Sequence, residues 1–234
     1  MAALLLPGFP PCAFRTAPGK APCPERFQSL PKTTHHLFNY RICMKFSHLM
    51  IAVLAAASAG SAMAAADTYN LDPTHTFPSF EADHMGLSVW RGKFNKTKGS
   101  VTLDRAAKTG SLDLVIDADS IDFGFDAMNT HAKKADMFNV EKFPAITYKS
   151  TSLKFNGDQL VEVNGELTLL GVTKPVTLNV SKFKCIMHPR YKREVCGADA
   201  SAQFKRSDFG LNYGMPAFSP EVKLAIQVEA IKVD

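Results

Sequence analysis

The stretch QLVEVNGELTLL, residues 159–170, decides how this chain is read. Val161, Val163, Leu167 and Leu169 alternate with Glu162, Glu166 and Thr168. A period of two sends successive side chains to opposite faces, so the stretch reads as a strand with one buried and one wet face. Immediately upstream, Asn156-Gly157 separates it from Ser152–Phe155. That pair can take the positive φ angles of a tight hairpin, which makes the two runs neighbours in an antiparallel sheet.

The same period recurs on both sides. Leu112, Leu114 and Ile116 alternate with Asp113 and Asp117, and Val222, Leu224, Ile226 and Val228 alternate with Lys223, Gln227 and Glu229. Thr109-Gly110 is expected to turn the chain between 99–104 and 111–116, and Asn164-Gly165, inside a strand pattern, to mark a bulge or bend. Strand runs are expected at 75–84, 87–95, 98–104, 111–119, 145–155, 159–170, 175–185 and 196–206, with 221–232 as a ninth candidate. One stretch departs from the pattern, DAMNTHAKKADMFNV at 126–140. Met128, Ala132, Ala135 and Phe138 fall at helical spacing opposite Lys133 and Lys134, and Asp126 can cap. A short amphipathic helix is expected there, laid over one end of the sheet, with its Met and Phe used for packing. So many one-faced strands form either a sandwich or a closed barrel, and closure removes the exposed edges. An eight-stranded barrel is either filled by side chains or holds one small ligand, and patterning leaves that choice open.

The first 64 residues are a different kind of sequence. MKFSHLMIAVLAAASAGSAMA, residues 44–64, has a basic start at Lys45, an apolar run from Leu49 to Ala57 too short to span a bilayer, and an Ala62-Met63-Ala64 end. That is the build of a cleaved secretory signal peptide, so the domain from 65 to 234 is expected in an oxidising, extracytoplasmic space. Residues 1–43, rich in proline and without period, read as an over-extended gene start ahead of Met44 or as a disordered extension. The chain carries 27 basic and 22 acidic residues, a net charge of +5. Arg15, Lys20, Arg26, Lys32, Arg41 and Lys45, against Glu25 alone, lie upstream of residue 65 and account for all of it. The domain itself is neutral, which removes the case for nucleic acid.

Cysteines divide in the same way: Cys12, Cys23 and Cys43 fall upstream, and only Cys185 and Cys196 belong to the domain. In an exported protein that pair reads as one disulfide. A metal pair with His188 and a redox-active pair are the rival readings, the latter weakened by a spacing far from Cys-x-x-Cys.

HMGLSVWRGKF at 84–94, ADMFNVEKFPAITYKSTS at 135–152, GELTLLGVTKPVTLNV at 165–180 and RSDFGL at 206–211 together resemble the YceI-like family of exported lipid-binding proteins. The likeness runs from about residue 69 to 232. It implies an extended eight-stranded antiparallel lipocalin-like β-barrel, whose apolar cavity holds a polyisoprenoid such as an isoprenoid quinone or a polyprenyl phosphate. The Cys185 to Gly197 segment resembles a disulfide-bearing subgroup. Ala132 departs from the leucine usual after His131.

The residues expected to contact such a lipid are the inward members of the strands: Phe80, Ala82 and His84; Leu103; Leu112, Leu114 and Ile116; Ile146 and Tyr148; Val163, Leu167 and Leu169; Leu178 and Val180; Phe204; Leu224 and Ile226. His84 shares the Phe80–Ala82 face and is either a head-group contact or a structural histidine; pairing with His188 on a metal is the weaker alternative. Asp117, Asp119 and Asp122 lie close together but read as a solvated edge. No nucleophile elbow, His-Glu-x-x-His or phosphate-cradling glycine loop is present, so no catalytic residue, metal or cofactor is expected. The expected function is a periplasmic carrier sequestering an isoprenoid lipid. The neutral domain and the lack of an inward arginine cluster weigh toward a quinone, with Arg91 and Arg206 as candidate donors to a phosphate. An inner-membrane quinone-using protein is the partner such a carrier would meet, and a homodimer is compatible with it. The alternatives are an enzyme or stress-protection protein acting on oxidised quinones, and a packed barrel without a ligand.

Overall fold

The computed structural model describes residues 66–234, so the expectations for 1–43 and 44–64 lie outside the described residues. The segments are β1 (Asp67–Leu71), β2 (Phe77–His84), β3 (Ser88–Phe94), β4 (Thr97–Asp104), β5 (Thr109–Asp117), β6 (Ile121–Asp122), α1 (Asp126–Ala132), β7 (Ala145–Asn156), β8 (Gln159–Leu169), β9 (Val172–Met187), β10 (Glu194–Lys205) and β11 (Glu221–Lys232). Strands β1, β4, β5, β7, β8, β9, β10 and β11 pair in that order, and β11 pairs back onto β1. Closure of this ring gives the expected eight-stranded antiparallel barrel.

The barrel is extended at one end because its first three strands are each broken and continue as β2, β3 and β6. Local chemistry makes the breaks. Between β1 and β2, the Asp72 carboxylate accepts from the Thr74 amide at 2.8 Å and the Thr74 hydroxyl at 2.6 Å, an Asx turn that lifts the chain off the ladder. Between β5 and β6, the Ser120 hydroxyl donates to Asp117 O at 2.6 Å and accepts from Lys96 N at 3.0 Å. One side chain thus pins the break in its own strand and the one beside it, between β3 and β4.

Several turns differ from expectation. The β7–β8 loop is Gly157-Asp158, with Asn156 still paired to Gln159 and only Gly157 at positive φ. Thr109 and Gly110 are already inside β5, opposite Asp104 and Leu103, and the positive φ falls on Lys108. Strand β1, not among the expected runs, buries Tyr69 and Leu71 by alternation. Strand β9 starts at Val172, before Pro175, because Leu170-Gly171 makes a two-residue turn with both residues at positive φ. Opposite Asn164-Gly165 the extra residue lies on the partner strand, at Thr151, and a second irregularity at Val161 lets Leu160 and Val163 both face inward.

The helix is shorter than expected. It covers Asp126–Ala132, with Phe125 at the N-cap and no side-chain cap, while Asp126 sits in the first turn. Past Lys133 the chain folds back: Phe138 N donates to Ala132 O at 2.9 Å, and Asn139 takes a positive φ. Phe138 reaches the interior through this turn, its ring 5.7 Å from that of Phe94, so its helical spacing from Met128 is coincidental.

Candidate functional site

Alternation gives every barrel strand one apolar face toward the axis, and those faces do not meet. They enclose a cavity of about 430 Å³, within the range of small-molecule sites. The inward residues expected from the sequence, from Phe80, Ala82 and His84 on β2 to Leu224 and Ile226 on β11, all stand on its wall. The barrel is therefore hollow, and most of its buried core side chains also line the cavity, Ala118, Ile121, Ala132 and Phe209 being among those that do not.

The two ends of the cavity differ. At one, Tyr69, Leu71, Leu103, Cys196 and Ala230 form a buried cluster. The Tyr69 hydroxyl donates to Glu194 Oε2 at 2.9 Å, and Arg105 holds Glu194 Oε1 at 2.8 Å, so this end is sealed. Burial and the neighbouring Glu194 both push the Tyr69 phenol well above its ordinary pKa. At the other end the wall is made by His84, Trp90, Met128, His131, Tyr213 and Phe218, from the β2–β3 hairpin, α1 and the loop before β11. His84 stacks on Trp90 at 5.1 Å between centroids and meets the edge of Phe218 at 5.1 Å; His131 meets Tyr213 at 4.8 Å. Neighbouring apolar side chains on the same segments remain exposed, Leu87 at 81% and Phe125 at 61%. We take this end, ringed by aromatic side chains from three segments, as the mouth of the cavity.

Sequence periodicity missed most of the mouth, because His131, Tyr213, Phe218 and Arg206 belong to segments without a period of two. The clustered aromatics of FGF at 123–125 and YGMPAF at 213–218 were the available signal. The two candidate arginines separate. Arg91 lies opposite Glu81 on the outside of the barrel, its Nε 2.8 Å from Glu81 Oε1, and it does not line the cavity. Arg206 is only 8% exposed and does line it. Its Nε donates to Ser219 O at 3.2 Å and its Nη1 to Leu211 O at 2.8 Å, and burial lowers its pKa from the ordinary value.

The remaining polar candidates have structural uses. Asp117 accepts from Asp119 N and lies 3.5 Å from Lys96 Nζ; Asp119 pairs with Lys133 at 3.1 Å. Asp122 accepts from Gly124 N, Asn95 and Asn129, bonds that lower its pKa, the backbone amide foremost. Cys185 and Cys196 face each other across β9 and β10 and are joined, with Cα atoms 4.0 Å apart. Their sulfurs are thus not free thiolates, although Glu194 lies beside them. His188 Nδ1 instead accepts from the amides of Arg190 and Tyr191 at 3.3 Å in the β9–β10 hairpin. Among the described residues, no metal-like cluster contains His84 or His188.

Residues 69–230 match the YceI-like domain. Over 178 residues the chain is 36% identical to a UPF0312 protein of Pseudomonas aeruginosa, an alignment covering 75% of this chain and 91% of that protein. It is 34% identical over 176 residues to protein YceI of Escherichia coli, with the same shares covered. Among solved structures, Burkholderia cenocepacia BcnA is similar with a TM-score of 0.57 at 23% identity, covering 68% of this chain and 98% of BcnA. A polyisoprenoid binding domain from Saccharophagus degradans, implicated in plant cell wall breakdown, is similar with a TM-score of 0.53 at 19% identity, covering 70% and 98%.

Proposed function

The chain belongs to the YceI-like family, and on that premise we propose that it is a periplasmic carrier which sequesters an isoprenoid lipid, a quinone or a polyprenyl phosphate, inside its barrel. The observation that carries this reading is the hollow interior: an apolar cavity of about 430 Å³ that runs from the buried Tyr69 cluster to the aromatic ring of side chains around His84. Burying each CH₂ of a hydrocarbon chain is worth about 0.8 kcal/mol. A polyprenyl tail therefore does not cross water unaided, and a tube with one mouth lets the tail enter first and keeps the polar head near solvent. The polyisoprenoid binding named for the Saccharophagus degradans domain supports the ligand class. The Met44–Ala64 segment supports export.

Purified protein from its native compartment, extracted with organic solvent and analysed by mass spectrometry, tests the proposal. A stoichiometric prenyl lipid is expected. Protein that carries none, and that takes up no prenyl probe after delipidation, overturns it. Turnover of an oxidised quinone by the same preparation would favour the enzyme reading instead.

A further inference from the structure

The guanidinium of Arg206 is a cation in an apolar wall without a counter-anion. Arginine stays charged at any physiological pH, so burial cannot be relieved by losing the proton. Its two backbone acceptors, Ser219 O and Leu211 O, satisfy hydrogens on Nε and Nη1 but supply no negative charge. Among the described residues no carboxylate lies within 4.0 Å of it, and Nη2 has no protein partner. The acidic groups of the surrounding elements are spent or turned outward: Asp83 accepts from Gly86 N at 2.9 Å, Glu221 holds the Gln203 amide, and Asp208 is exposed. An unpaired buried charge is among the more costly things a fold can carry, and it marks a place where an anion is gained favourably.

Arg206 also stands at the right end of the tube. It follows β10 directly, and its acceptor Ser219 adjoins Phe218, whose ring meets His84 at the mouth. We propose that Arg206 is the head-group subsite of the cavity, and that the lipid it selects carries an anionic head, a phosphate ester being the best match to the planar guanidinium. This rests on the carrier reading above and narrows it. The sequence alone weighed toward a quinone because no inward arginine cluster was evident; one arginine suffices when nothing else neutralises it.

Geranylgeranyl phosphate and geranylgeraniol share one tail and differ only in the head. Titrated into the delipidated protein, the phosphate is expected to bind on the order of tenfold more tightly, the factor one charge-assisted hydrogen bond supplies, and the margin is expected to shrink as salt is raised. Arg206→Met is expected to abolish the margin while leaving the alcohol's affinity within about twofold, since the tail contacts remain. Arg206→Lys keeps the charge without the fork, so a reduced margin is expected. Because Arg206 also ties Leu211 and Ser219 together, a purely structural role predicts that both affinities fall together, which would overturn the proposal. Equal binding of the two probes to the parent, or a full margin surviving in both variants, also overturns it while leaving lipid carriage intact. If neither probe binds the parent, carriage itself fails and this subsite with it.

Discussion

The ring of Tyr148 on β7 lies directly over Gly165 on β8: a Cβ at position 165 would fall 2.5 Å from Tyr148 Cζ and 2.6 Å from its hydroxyl. The hydroxyl sits between two strand carbonyls, Val163 O at 3.0 Å and Val176 O at 2.9 Å, at only 4% exposure of the residue. It therefore crosses β8 and tethers β7 to β9. Burial pushes its pKa well above the ordinary phenol value. Gly165→Ala is expected to destabilise by about 1–3 kcal/mol, because the methyl and the ring compete for one space. Tyr148→Phe, which leaves the ring and removes the tether, should lose only about 1 kcal/mol. Urea denaturation of both variants checks the order; an unaltered midpoint for Gly165→Ala refutes the close approach.

The Cys185–Cys196 bond closes a short loop in the longest hairpin of the barrel, β9–β10, next to the sealed end. On the chain-entropy account a loop of this length contributes about 3 kcal/mol. Reduction, or Cys185→Ala with Cys196→Ala, should lower the denaturation midpoint by an amount of that order. Non-reducing peptide mapping should recover the linked peptides. Two freely alkylated thiols in oxidised, exported protein would count against the bond.

The Asp72 turn predicts a pH dependence. Burial by itself would raise the carboxyl's pKa, but the bonds from Thr74 and His75 outweigh it and the net shift is downward. A lowered folded pKa gives stabilisation that is complete above the unfolded value, about 4, and is lost as the pH falls through the folded one. His75, 52% exposed, is shifted upward chiefly by its bond to Asp72. Its smaller contribution is complete below about pH 6.5 and fades as the pH rises through the raised value. Asp72→Ala should therefore remove about 1–3 kcal/mol at neutral pH, and flatten the acid limb of the stability profile below pH 4. Denaturation midpoints measured from pH 3 to pH 8 test this, and profiles that stay parallel for parent and variant would contradict it.

What the sequence reveals here follows from geometry. Leu112, Leu114 and Ile116 could be placed on the wall because a strand in a closed barrel has only an inside and an outside, and their acidic neighbours could take only the outside. That parity survives until a ladder slips, and on β8 it slips at Val161, so Leu160 joins Val163 inside where strict alternation would exclude it. Tyr69 and Leu71 were missed because DTYNL is a short, mostly polar run whose inward pair is evident only once β4 and β11 flank it. His131, Tyr213 and Phe218 were legible least, and Arg206 stood out by its charge alone and not by its place in a strand. Each leaves an irregular segment, and only the convergence of the β2–β3 hairpin, α1 and the loop before β11 gathers them at one mouth.

A hollow barrel and a full one respond oppositely to added volume, and Leu114, Leu167 and Leu224 stand on three different strands of the wall. In a packed core Leu→Trp forces neighbouring side chains off their rotamers and loses about 1–3 kcal/mol. Here the larger ring has empty space before it, and the indole buries more apolar area than the leucine it replaces. Each of Leu114→Trp, Leu167→Trp and Leu224→Trp, once delipidated, is thus expected to melt within a few degrees of the parent. The same space is what a prenyl tail would fill, so all three should take up less lipid, as read by mass spectrometry of the extracted ligand. Stability and occupancy then move independently, which a packed barrel does not allow. Large losses of stability with undiminished lipid content across all three variants would refute a lipid-filled tube along these residues.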